Sequence, residues 1–170
     1  MARVSTMENK GVYQLKREEL GLSREQAAEL LEFISDDRLY KIEHDGVRPH
    51  PDEVLLMADK YKAPSLCNHY CSKHCEIGCQ NSFEVEIKDL PSIVLQTVAS
   101  LNCLDKHKER FIEIASDCKI DESEINDFRD IQEALKRISM AVESLRLWAE
   151  QMEANGDISD ANAQETATVH

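Results

Sequence analysis

Aromatic side chains are scarce in this 170-residue chain, at 5%, and glycine and proline occur only 5 and 4 times. So few turn formers argue against a sheet-rich fold with many hairpins. The small aromatic share suits helical units filled by Leu, Ile, Val and Ala. No apolar run approaches the roughly 18 residues that a membrane span needs, and the N-terminal stretch has no signal-peptide core. Also missing are G-x-x-x-x-G-K-[ST], G-x-S-x-G, H-E-x-x-H and any glycine-rich phosphate loop. His44 and His50 read as solvated loop residues, and Asp36-Asp37 and Asp121-Glu122 as helix-start carboxylates. The sequence therefore predicts a non-enzymatic, cytoplasmic, all-α protein.

Net basic charge is lacking too. The formal charge is −13, which does not favour a nucleic-acid partner. Its distribution matters more than its total, because charges act within about 10 Å at ordinary salt. Residues 1–66 carry 10 Lys and Arg against 13 Asp and Glu, whereas residues 84–153 carry 9 against 16. Most of the acidity thus lies beyond the N-terminal third.

That third holds the clearest local code. In Leu20–Leu31, LGLSREQAAELL, Ser23 stands as an N-cap with Gln26 completing a capping box. Ala27 and Ala28 are small enough for two helices to cross closely. In Glu32–Gly46, EFISDDRLYKIEHDG, Ser35 is a second N-cap. Leu39 and Ile42 point inward, and Gly46 ends the helix. Pro51 opens a further helix whose buried face is read as Val54, Leu55, Met57, Ala58 and Tyr61. Pro64 opens a fifth helix, which Gly78 is expected to close.

This ordered set resembles the XRE/Cro-type helix-turn-helix family of bacterial transcriptional regulators. The matches are GLSREQAAELL, the Ile34-Ser35 step, the Ile42-Glu43 pair, Arg48-Pro49, and PDEVLLMADKYKAP from Pro51 to Pro64. The following LCNHYCSKHCEIG looks like a cysteine-bearing extension found in a bacterial subgroup. The chain departs from the family at the turn, where Glu32-Phe33 stands in place of a glycine. The resemblance implies that the second motif helix enters the major groove of double-stranded DNA. Arg24 and Arg48 would then touch phosphates, and Ser35, Asp37, Arg38 and Lys41 would face the groove. Arg38 is the expected guanine reader. Asp36 and Asp37 oppose phosphate but favour the helix start.

Cys67, Cys71, Cys75 and Cys79 recur every four residues, with His69 and His74 between them. Three readings stand side by side: ligands for zinc or an iron–sulfur cluster, redox-active thiols, or small apolar packing residues. A single helical stripe converges poorly on one ion unless the helix ends early. Cys103 and Cys118 read as isolated packing residues.

Beyond Asp89 the pattern changes. Asp89 caps a helix with Pro91 in its first turn and an apolar series Val94, Val98, Leu101, Leu104, Phe111, Ile112, Ala115. After Asp121 and Glu124, a second series runs Ile125, Phe128, Ile131, Leu135, Ile138, Val142, Leu145, Trp148, Met152 at near-heptad, coiled-coil-like spacing. Two such helices predict an antiparallel hairpin. The organisation read from sequence is a flexible arm at 1–11, a five-helix Cro/phage-repressor-like helix-turn-helix domain at 12–80, a two-helix hairpin at 81–153 and a disordered tail at 154–170. The hairpin is expected to form a homodimer or hold a protein partner. The competing reading is an adaptor on the same fold that does not bind DNA.

Overall fold

The computed structural model describes residues 10–116 and 119–158. Every regular element among the described residues is a helix. In order they are α1 (Val12–Glu19), α2 (Arg24–Leu31), α3 (Asp36–His44), α4 (Pro51–Lys60), α5 (Ser65–Lys73), α6 (Gly78–Asn81), α7 (Leu90–Ala115) and α8 (Ile125–Asn155). The described residues fall into two compact units, one of 10–84 with 150–158 and one of 85–149. The arm expected at 1–11 and the tail at 154–170 lie mostly outside the described residues, as does Cys118.

Local sequence sets the helix starts. The Ser23 hydroxyl accepts the Gln26 amide at 3.2 Å, and the Gln26 side chain accepts the Ser23 amide at 2.8 Å. This reciprocal box satisfies two donors that a helix leaves unpaired at its start. Ser35 accepts the Arg38 amide at 3.3 Å, so its hydroxyl is an N-cap. Between them the chain turns sharply. Glu32 takes φ +57° and ψ −44°, in the positive-φ region where a side chain is strained.

The first core comprises Ala27, Leu31, Ile34, Leu39, Ile42, Met57 and Leu66 with their neighbours. Ala27 is fully buried, as its crossing position requires. Leu55 was expected in this core but is 64% exposed. Its neighbours Val54, Met57, Ala58 and Tyr61 already fill the inner side of α4, which turns Leu55 outward. One ion pair is built into this unit. Arg17 donates through Nε and Nη2 to the two Glu43 carboxylate oxygens, both at 2.8 Å, and through Nη1 to the Leu22 carbonyl at 2.6 Å. The fork ties α1 to α3. The Glu43 bond is also the main cause that raises the Arg17 pKa, against burial, which lowers it.

The fifth helix stops earlier than expected. It ends at Lys73, and Gly78 opens α6 instead of closing α5. A Cβ on Gly78 would lie 2.2 Å from the Cys71 carbonyl oxygen. Only glycine permits that approach of α6 to α5.

In the second unit α7 and α8 form the helical hairpin. Asp89 caps α7 by accepting the Ser92 amide at 2.9 Å. Asp121 accepts the Glu124 amide at 3.1 Å just before α8. Near the connection, Arg110 pairs with Asp127 at 2.6 Å. The buried line of α7 is Ile93, Ser100 and Ile114, not the expected Val94, Val98 and Leu101, which are about half exposed. On α8 the buried residues are Ile131, Ala134, Ala141, Ser144 and Leu147.

Candidate nucleic-acid interface

Helix α3 buries Leu39, Ile42 and Glu43. Its opposite side is formed by Asp37, Tyr40, Lys41 and His44, all exposed. These positions follow helical spacing and share one outward face. Tyr40 and His44 stack with ring centroids 4.7 Å apart and planes 10° from parallel. Arg24, at the start of α2, sets its guanidinium 4.9 Å from the Tyr40 ring centroid. It also donates Nε to Asp36 at 2.9 Å. That hydrogen bond is the main cause that raises the Arg24 pKa. The pair offsets one of the two carboxylates at the start of α3. Asp37 keeps its charge exposed.

Arg38 does not join this face. It reaches back to α4 and donates Nε to Glu53 Oε1 at 2.8 Å and Nη2 to Glu53 Oε2 at 2.7 Å. Nη2 also meets the Arg48 carbonyl oxygen at 3.2 Å. Glu53 in turn accepts the His50 amide at 2.6 Å, at the start of α4. The Arg38 fork is the leading cause that lowers the Glu53 pKa, with the His50 amide adding to it and burial opposing it.

The sequence-predicted residues thus separate into four settings. Arg24 and Lys41 lie beside the aromatic stack, Lys41 without a side-chain partner among the described residues. Ser35 is engaged as a cap, and Arg38 is held by α4. Arg48 lies exposed in the loop after α3, close enough for its charge to help lower the His74 pKa after burial and His69. Sequence reasoning missed Tyr40, His44 and Glu53. The i, i+4 spacing of Tyr40 and His44 on a helix whose inner face is Leu39 and Ile42 was the available signal.

The four cysteines straddle a break. Cys67 and Cys71 lie on α5, Cys75 in the turn and Cys79 on α6. Cys71 and Cys79 are exposed. The Gly78 amide donates to Cys75 Sγ at 3.3 Å. Among the described residues, no three His, Cys, Asp or Glu side chains are grouped as metal ligands.

Two short helices joined by a tight turn, the second with an exposed polar and aromatic face, define a helix-turn-helix domain. Residues 14–65 match the family model described as Helix-turn-helix, so this segment is similar to that family. The match runs from α1 to the first residue of α5 and leaves the cysteine segment and the hairpin outside it. No curated protein and no solved structure matches the chain. No helix among the described residues is long and apolar enough to cross a membrane.

Proposed function

We propose that this protein is a sequence-specific transcriptional regulator that binds double-stranded DNA as a homodimer, working in the cytoplasm. The observation that carries this reading is the outward face of α3, where Tyr40, Lys41 and His44 stand clear beside Arg24. A face of this size fits a major groove. Arg24 and Arg48 supply phosphate contacts. Base reading falls to Tyr40, Lys41 and Asp37, the last as an acceptor for a cytosine amino group. Arg38 acts as a strut between α3 and α4, because its donors are turned toward Glu53 and the Arg48 carbonyl. Ser35 serves the groove by fixing where α3 begins.

A second reading has its own observation. Asp37 is exposed on the same face, and the N-terminal third is not basic. A protein-interaction adaptor on this fold would keep such a surface. Selection of bound fragments from a random DNA pool, at two salt concentrations, separates the two. Enrichment of a two-fold symmetric motif, with affinity falling steeply in salt, is the expected result. No enrichment at low salt from folded protein would sink the DNA reading in favour of the adaptor.

A further inference from the structure

Helix α7 leaves a second line of residues without cover. Val94, Val98, Leu101, Asp105, Lys108 and Ile112 recur in alternating steps of four and three, so they line one side of the helix. Leu101 is 50% exposed and Ile112 63%. Asp105 and Lys108 are exposed and make no ion pair or side-chain hydrogen bond with a described residue. Around them Leu101, Asn102, Leu104, Asp105, Lys108 and Phe111 line an open recess of about 440 Å³.

We propose that this stripe is the homodimer seam, with α7 packing antiparallel on the same helix of a second copy. The inference rests on the dimer reading above and adds its surface and register. The argument is self-complementarity. A two-fold axis between residues 106 and 107 sets Leu101 against the partner's Ile112. It also sets Asp105 against the partner's Lys108, and Lys108 against the partner's Asp105. Two symmetric apolar pairs thus flank two symmetric ion pairs, all within the stretch that holds the recess. A parallel, in-register pairing would set Asp105 against the partner's Asp105, and like charges facing each other oppose it. A symmetric interface requires a surface that complements itself in this way.

The test is the mass of the full-length protein in solution, measured by sedimentation in the absence of DNA. The wild type should be a dimer. Leu101→Asp should weaken the dimer about a hundredfold by putting two charges into the seam, with an unchanged far-ultraviolet spectrum because Leu101 is outside the hairpin core. Asp105→Lys alone should weaken it about tenfold through like-charge pairing. Asp105→Lys combined with Lys108→Asp should restore the wild-type affinity. A wild type that stays monomeric at high micromolar concentration overturns the proposal. So does a dimer that survives Leu101→Asp. Failure of the double swap to rescue overturns the antiparallel register. None of these readouts involves DNA, so a dimer that selects no DNA motif would leave this seam standing and remove only the functional reading.

Discussion

Arg38 holds Glu53 as a two-pronged fork, with donor–acceptor distances of 2.8 and 2.7 Å, across 15 residues of sequence and between two helices. The fork fixes α3, whose outer face carries the candidate DNA contacts, to α4, whose inner face belongs to the core. Glu53 has a lowered pKa because the guanidinium favours its charged form. Its stabilising effect is therefore complete above the ordinary carboxylate range and fades as pH falls through the lowered folded value. Glu53→Gln should cost about 1 kcal/mol at neutral pH. That deficit should shrink in acid, where the wild type loses the same interaction. Urea melts at the two pH values measure both; an equal deficit at each would show that the charge of Glu53 is immaterial.

The Arg17–Glu43 pair is more deeply enclosed, with side-chain exposures of 8% and 1%. Removing one partner strands the other charge out of water. Arg17→Met should cost about 3–5 kcal/mol. Arg17→Met with Glu43→Leu should recover a good part of that loss, because neither charge is left behind. Chemical denaturation of the single and double variants checks the ordering.

On the outer face of α3 the expectations concern DNA. Lys41→Ala should weaken binding to a selected site about tenfold, within the 1–3 kcal/mol of a base contact, and random DNA less. Arg24→Ala should weaken both alike but lower the salt slope by less than the step of about 1 that an unpaired phosphate contact gives, because Asp36 already offsets its charge. Arg38→Ala should show itself first as lost thermal stability. Titrations of labelled duplexes at several salt concentrations, beside thermal melts, distinguish these three behaviours.

Glu32 spans the turn between α2 and α3 at positive φ. Glycine adopts such a conformation without the steric cost of a Cβ. Glu32→Gly should therefore stabilise the domain by about 1 kcal/mol, read as a rise in melting temperature. Gly78→Ala should do the reverse, because the added methyl meets the Cys71 backbone at a distance no real contact tolerates.

The helix boundaries of the N-terminal unit were legible because their signals are local. Ser23 with Gln26, Ser35, Gly46 and Pro51 each act within one turn of where they stand. The two long helices were equally clear from Asp89, Asp121 and the apolar spacing. The choice of inward face on α7 was not legible. Val94 and Ile93 start two overlapping apolar lines, and only tertiary packing, which the local sequence does not announce, decides which one is covered. The end of α5 was missed for a similar reason, since Gly78 can close one helix or start another. The engagement of Arg38 is not legible either, because nothing nearby in sequence announces Glu53. That pairing exists only after α4 has folded back on α3.

Glu53 also changes what Arg38 is worth to a polyanion. An arginine already matched by a carboxylate adds no net positive charge to the surface. To grip a phosphate it would have to abandon a built-in competitor, exchanging one anion for another. Arg38 then displaces no ion from the DNA atmosphere on balance, and the salt dependence of binding becomes a count of the unmatched cations alone.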